Sequence, residues 1–338
     1  MRNIGAILVF LLVFAGANVI VDTREKARKV SPPHGAEKKA MIDSMANNKP
    51  AVVLIGNSML GEGIDPHLLS ELLGIRVEKF SRGGAASAWW YLVFKNVVLS
   101  AKVKPQCVVI FFRDLFLTKP EYRTSGKYRR SIEGMADQEE PLLDRLVFGA
   151  QGVEKYIDKL PLYQKRDTIQ KQVDIIIKDI FTTKITNISV GGSQKAISRT
   201  FDEKKLDPIQ LNLEQIKAEQ IKATAKTIKF KSQLKRSFLP DIVNRASASG
   251  INLVFVRIKR KRDLTPNNEP EVIKQYVAEL KKYFADNKIP FIDFTYDQRI
   301  VKSHYAVGDH MDRKKGRPFL TKLLAQELKP ILFLENIL

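Results

Sequence analysis

The chain is short of the two residue types that build disulfide frameworks and most metal sites. Its 338 residues include one cysteine and four histidines. A single cysteine excludes an intramolecular disulfide, and the default interpretation of Cys107 is a small buried thiol in an apolar run. No group of Cys and His residues has the spacing of metal ligands. We therefore expect neither a metal nor another cofactor, and the chemistry has to come from ordinary side chains.

Acidic residues are also few relative to basic ones, with 37 Asp and Glu against 57 Lys and Arg. The formal net charge is +20, which bears on partners and solubility rather than on the fold. Charge alone is compatible with nucleic-acid binding, but the sequence contains no recognisable nucleic-acid-binding motif, so we do not expect that partner. Contact of the lysine-rich surfaces with an anionic lipid or an anionic polymer stays open.

The N-terminus holds a long apolar run without charges. Residues 4–21 are about as long as a helix that crosses a bilayer core. The triplet Ala15-Gly16-Ala17 resembles a signal-peptidase site, but the apolar run continues to Val21, which favours an uncleaved anchor. We assign residues 1–22 to a membrane anchor or signal segment. Residues 23–49, rich in Lys, Glu and Ala, are assigned to a tether.

After the tether, short apolar runs alternate with amphipathic helical patterns. The run at residues 51–55 predicts a strand covered on both faces, as in a parallel sheet. The economical topology is a three-layer α/β/α sandwich with a mostly parallel sheet, formed by residues 50–121 and 245–338. Between them the strand pattern is lost, and residues 122–244 predict a large helical insertion that acts as a cap or lid.

The first predicted strand ends at Gly56-Asn57-Ser58, and Asp65-Pro66 begins a helix. Open α/β sheets place their ligands at the carboxyl ends of strands. A hydroxyl there acts as a nucleophile if a base reaches it, and nearby backbone N–H groups can stabilise an oxyanion. The alternative, from these residues alone, is a turn serine that caps the next helix.

Four stretches resemble, in order, the motif blocks of the SGNH (GDSL-type) hydrolase superfamily. The first block is similar to Gly56-Asn57-Ser58, with Asn in place of Asp, and the glycine-bearing second block is similar to residues 80–87, with Gly84 as its glycine. Arg113-Asp114 stands where the third block has Asn-Asp. Asp309-His310 resembles the last block. The resemblance implies the flavodoxin-like α/β fold of that superfamily and covers nearly all of the chain after its N-terminal segment.

The resemblance implies Ser58 as the nucleophile and His310 as its base, with His304 a poorer choice. The acid of the last block normally lies three residues before the histidine, where this chain has Val307. Asp309 is the nearest substitute for it. A Ser-His dyad, or help from either of two other carboxylates, stays open; these two are Asp293 and Asp312.

For the oxyanion, the resemblance implies the backbone N–H groups of Ser58 and Gly84, and it puts Arg113 in place of the usual side-chain donor. We further predict substrate contacts for three residues near the strand ends: Asn57, Asp114 and Trp89. Core packing is the alternative for at least one of the adjacent tryptophans, Trp89 and Trp90.

These observations predict a membrane-anchored serine esterase or O-acyltransferase that handles acetyl groups on a cell-envelope or secreted polysaccharide. The implied partners are a carbohydrate polymer or acyl donor, the membrane, and polysaccharide-export or modification machinery. The flanking charges favour a cytoplasmic domain, whereas related envelope-modifying proteins face outward, and we expect a periplasmic location. The alternative function is a catalytically degenerate binding subunit of the same fold that holds an anionic polymer.

Overall fold

The computed structural model describes residues 35–125, 128–148, 229–261, 269–306 and 308–334. Within them, a parallel five-stranded sheet has the strand order β2-β1-β3-β4-β5. The strands are β1 (Val52–Asn57), β2 (Val77–Arg82), β3 (Cys107–Phe112), β4 (Asn252–Arg257) and β5 (Phe291–Asp293).

Helices flank the sheet on both faces. The α-helices are α1 (Ala36–Asn48), α2 (Ser58–Gly63), α3 (Pro66–Leu73), α4 (Ser87–Val93), α5 (Arg129–Met135), α6 (Pro141–Leu143), α7 (Phe230–Lys235), α8 (Leu239–Ala248), α9 (Glu271–Asp286) and α10 (Gly316–Leu334). Helix α4 continues into a π-helical turn, Phe94–Val98, and a second such turn, Asp144–Phe148, follows α6. Two short 3-10 helices are Phe116–Thr118 and Lys302–His304.

Successive residues of each central strand enter different hydrophobic cores. Val53 and Ile55 of β1 belong to the core that also contains residues of α1, α4, α5, α8 and α9. Val52 and Leu54 belong to the second core, with residues of α2, α3 and α10. All four side chains are fully buried, as the unbroken apolar run requires. The predicted three-layer α/β/α sandwich is confirmed, and its sheet is parallel throughout the described strands.

The last part of the predicted tether is a helix that packs on the domain. Met45 of α1 is 1% exposed and lies in the first core, and Met41 packs against that core one turn earlier. Glu37 pairs with Arg82, and Lys38 pairs with Asp137. Residues 36–48 therefore belong to the folded domain rather than to a tether, because Met41 and Met45 lie on the helix face that packs on the first core.

Both ends of the predicted insertion contribute to the first core. Ile132 of α5 and Ile242 of α8 are 2% exposed there. The boundary predicted at residue 244 falls inside α8, whose apolar face is continuous across it. Most of the predicted insertion, residues 149–228, lies outside the described residues.

The predicted membrane anchor also lies outside the described residues. In the part of the chain that the structure describes, no helix has both the length and the apolar character to cross a bilayer.

Gly316, the first residue of α10, lies against the loop before it. A Cβ atom at this position would lie 1.9 Å from the carbonyl oxygen of His304, which is a backbone atom. We expect Gly316→Ala to lower the free energy of unfolding by about 2 kcal/mol, because either the loop or the helix has to shift. Urea unfolding of the full-length protein measures this.

The matched control is Gly83→Ala, since a Cβ at Gly83 would meet no atom within 4 Å. Equal unfolding midpoints for Gly316→Ala and Gly83→Ala would contradict the prediction that helix α10 and the loop leave no room for a Cβ at Gly316.

Candidate active site

The candidate site lies at the carboxyl edge of the sheet, where β1, β2 and β3 end side by side. Asn57 ends β1 opposite Arg82 in the register of β1 and β2. Ser58 therefore follows β1 at the same edge where Gly83 and Gly84 follow β2, and Arg113 follows β3. Parallel strands bring these positions together although they are far apart in the sequence.

Ser58 and His310 are in hydrogen-bond contact. His310 Nε2 lies 3.0 Å from Ser58 Oγ, and the two residues are 252 positions apart. Both side chains are partly exposed, so a substrate can reach them. A serine and an imidazole at this distance have the geometry of a nucleophile and its general base.

A short two-stranded loop holds His310. The carbonyl oxygen of His310 accepts from the backbone N–H of Ala306 at 2.9 Å, and Tyr305 forms an antiparallel bridge with Met311. The backbone N–H of Asp312 donates to the carbonyl oxygen of His304 at 2.8 Å. Buried Tyr305 and Met311 anchor this loop in the second core.

Asn57 has a local structural role. Its Oδ1 atom accepts from the backbone N–H of Met59 at 2.9 Å, which caps α2 at its first turn. Its side chain is 6% exposed. The residue that replaces the motif's Asp thus shapes the turn that presents Ser58, and the capping role weighed for the serine belongs to Asn57.

Gly84 occupies a backbone conformation that favours glycine. Its φ is +78°, and a Cβ would lie 2.5 Å from Tyr128 Cε1 and 3.1 Å from Arg123 Nη1. Both of these residues come from the start of the predicted insertion. The guanidinium of Arg123 also stacks over the ring of Tyr128, at 5.4 Å from its centroid. The loop after β2 therefore has room only for glycine at this position.

Arg113 and Asp309 contact each other. Arg113 Nη1 donates to Asp309 Oδ2 at 2.9 Å, and Asp309 Oδ1 accepts from the backbone N–H of Lys261 at 3.0 Å. Neither oxygen of the carboxylate is bonded to the imidazole of His310. The acid role predicted for Asp309 is not supported by these contacts, because adjacent side chains in the loop point to different partners.

The remaining predicted site residues divide between the edge and the core. Asp114 lies at the edge with a φ of +50° and pairs with Arg260. Trp89 is 2% exposed and lies in the first core, as does Trp90. Its burial favours the packing role that the sequence left open over contact with a substrate.

The other base and acid candidates have their own contacts. The His304 ring stacks on Phe319 with centroids 4.1 Å apart. Asp312 Oδ1 accepts from the backbone N–H groups of Lys314 and Lys315 before α10. Asp293 Oδ2 lies 3.4 Å from Arg257 Nη1.

No group of His, Cys, Asp and Glu residues within the described ranges is arranged to hold a metal ion.

Glu62 is a component of the site region that the sequence interpretation misses. It lies one helical turn after Ser58, and its carboxylate accepts from Arg313 Nε at 3.1 Å and from Arg317 Nη2 at 2.8 Å. The hydrogen bond from Arg313 holds the pKa of Glu62 below its usual value, and the charge of Arg317 acts in the same direction. The sequence does show that Glu62 lies four residues after Ser58, and so on the same side of a helix. It does not show that Glu62 pairs with arginines 251 and 255 positions away.

No family model matches the chain, and no curated protein sequence matches it. Among solved structures it is similar to a GDSL-like lipase from Bacteroides thetaiotaomicron VPI-5482, with 12% identity and a TM-score of 0.41 over 88% of this chain and 100% of the lipase. It is also similar to TesA (15% identity, TM-score 0.40, 83% of this chain and 99% of that one). A lipase/acylhydrolase from Enterococcus faecalis gives 13% identity and a TM-score of 0.37, over 83% of this chain and 95% of the other.

The pairing of Glu62 with two arginines predicts a pH-dependent contribution to stability. Because the pKa of Glu62 is lower in the folded state, its contribution is present above the unfolded value of about 4.5 and is lost as the pH falls further. We expect Glu62→Gln to lower the free energy of unfolding at pH 7 by less than about 1 kcal/mol, since the pair is partly exposed. The difference from the unsubstituted protein should shrink below the unfolded value.

Urea midpoints measured from pH 7 downward test this, with Glu271→Gln on the exposed side of α9 as the control. A deficit of Glu62→Gln that stayed constant with pH would mean that the ion pairs do not contribute.

Proposed function

We propose that this protein is a serine esterase or acyltransferase that works through an acyl-enzyme on Ser58. The observation that carries the proposal is the 3.0 Å contact between Ser58 Oγ and His310 Nε2 at the carboxyl edge of a parallel sheet. The motif resemblance, which assigns the same two residues from the sequence, supports it independently of the geometry.

The reaction that suits this pair is acyl transfer from an ester. Ser58 Oγ attacks the ester carbon while His310 Nε2 accepts the hydroxyl proton. The tetrahedral intermediate collapses by breaking the bond to the leaving alkoxide, and His310 donates to this alkoxide the proton that it accepted from Ser58. Water or a second hydroxyl then attacks the acyl-enzyme, with His310 again as the base, and frees Ser58.

The negative oxygen of the intermediate needs donors near Ser58. The backbone N–H groups of Ser58 and Gly84 are our proposed donors, since both residues follow neighbouring strands at this edge. The conformation that Gly84 adopts, and the contacts that leave no room for a Cβ, support a constrained loop at this point.

The sequence extends the proposal to a substrate and a location. The resemblance favours acetyl esters on a cell-envelope or secreted polysaccharide, and it favours a domain on the periplasmic side. The apolar run at residues 4–21 favours attachment to a membrane. A carbohydrate acceptor would make the protein an O-acetyltransferase, and water would make it an esterase, because both reactions share the acyl-enzyme. Partnership with polysaccharide-modifying machinery follows from the same reasoning.

Labelling of the full-length protein with a fluorophosphonate tests for an activated serine. We expect one adduct per chain on Ser58, absent in Ser58→Ala and strongly slowed in His310→Ala, because the hydroxyl needs its base. Intact mass and peptide mapping measure this. The control is His67→Ala, which alters an exposed histidine on α3. Unchanged labelling of His310→Ala would overturn the assignment of the base.

Turnover of a small acetyl ester should show the same dependence. Loss of a general base typically costs 10² to 10⁴ in rate, so we expect His310→Ala to lower kcat by about that factor. His304→Ala, in the same loop, should keep most of the activity, since the His304 ring stacks on Phe319. Stopped-assay measurement of released acetate gives both values. A larger loss in His304→Ala than in His310→Ala would contradict the proposed pair.

The second candidate function is a binding subunit without catalysis. It is favoured by one observation: within the described residues, no carboxylate is hydrogen-bonded to the imidazole of His310, so this part of the chain supplies no third member of a triad. Retention of an anionic polysaccharide by the folded protein, together with no Ser58-dependent labelling or turnover, would favour this function.

A further inference from the structure

We propose that Arg113 is a positioning residue, which holds the His310 loop through its ion pair with Asp309. The inference rests on the proposed function for its catalytic meaning. It assigns Arg113 a different task from the oxyanion contact that the motif position implies. The task is to fix the backbone on which His310 sits, in a chain whose imidazole has no carboxylate partner among the described residues.

The guanidinium of Arg113 has a well-defined place. Its Nη1 atom donates to Asp309 Oδ2 at 2.9 Å, and its Cζ atom lies 5.5 Å from the ring centroid of Phe116. Phe116 is itself stacked on Tyr122, with centroids 4.0 Å apart and ring planes 10° apart. The arginine is therefore directed at Asp309 by a stacked pair of rings from the segment after β3.

Asp309, the residue before His310, joins this loop to the segments that follow β3 and β4. One carboxylate oxygen takes the hydrogen bond from Arg113, which follows β3, and the other takes the backbone N–H of Lys261, beyond β4, at 3.0 Å. The loop is further closed by the bond from Ala306 N–H to the His310 carbonyl. Movement of Asp309 would therefore move His310, and small displacements of a base can cost much of its rate effect.

The charges at this edge alternate. Arg113 Nε lies 3.8 Å from Asp114 Oδ2, and Asp114 pairs with Arg260. The side chains of Arg113 and Asp309 are 19% and 18% exposed, so their attraction is only partly screened. Without Arg113, Asp309 would lose its only side-chain partner among the described residues.

A double-mutant cycle separates this role from a direct contact with the oxyanion. The variants are Arg113→Gln, Asp309→Asn and the double substitution, and the substrate is a small acetyl ester. We expect each single variant to lower kcat at least tenfold with little change in KM, and the double variant to be no worse than the poorer single one, because all three lose the same pair. Arg113→Lys, which keeps the charge, should recover part of the loss.

A direct oxyanion role for Arg113 predicts another pattern. Asp309→Asn would then keep its kcat, or the two losses would multiply in the double variant, and either result overturns the proposal. The matched control is Arg299→Gln, which removes a solvent-exposed arginine paired with Asp297 and Glu327. It should leave kcat unchanged.

Hydrogen exchange gives a readout that does not depend on activity. The amide of Ala306, which donates to the His310 carbonyl, should exchange faster in Arg113→Gln and Asp309→Asn than in Arg299→Gln. Unchanged exchange in both variants refutes the positioning role even if the protein proves to be inactive. Failure of fluorophosphonate labelling in the unsubstituted protein would instead refute the proposed function, so the two failures are distinguishable.

Discussion

The contact between Ser58 and His310 is the interaction on which the site depends, and it joins residues 252 positions apart. Such a contact requires two independent placements. The parallel sheet places Ser58, because β1 ends at the edge where ligands of open α/β sheets bind. The packing of the second core places His310, since Tyr305 and Met311 anchor its loop beside α10. Neither Ser58 nor His310 can act without the other, and each is positioned by residues that do not contact the reacting atoms.

Electrostatic pairs link these two placements at the sheet edge. Glu62, one turn after Ser58, accepts from Arg313 and Arg317, and Asp309 accepts from Arg113. Ion pairs of this kind contribute little to overall stability, because desolvation offsets much of their attraction. They do restrict orientation, because the N–H donors of an arginine fit a carboxylate in few arrangements. In this protein the Glu62 pairs join the helix of the nucleophile to α10 and the residues just before it, and the Arg113 pair joins the end of β3 to the loop of the base.

The sheet could be predicted from the sequence because a strand buried on both faces leaves an unbroken apolar run, and β3 has the bounds that its run indicates, Cys107–Phe112. Ser58 and His310 could be singled out by motif resemblance. Helix α1 could not, because only Met41 and Met45 face the core among charged neighbours. The pair of Arg113 and Asp309 could not either, since 196 positions separate them and no local pattern encodes which charges meet.

The two differences from the motif pattern, at Arg113 and at Asp309, are connected by one ion pair. The chain has Arg113 where the SGNH motif pattern that it resembles has Asn, and its carboxylate near the histidine is at Asp309 rather than at position 307. One carboxylate oxygen of Asp309 accepts from Lys261 N–H and the other from Arg113, and the partial burial of this carboxylate favours a cation beside it. Arg113 provides that cation. The positioning role proposed for Arg113 therefore accounts for both differences from the motif pattern with a single ion pair.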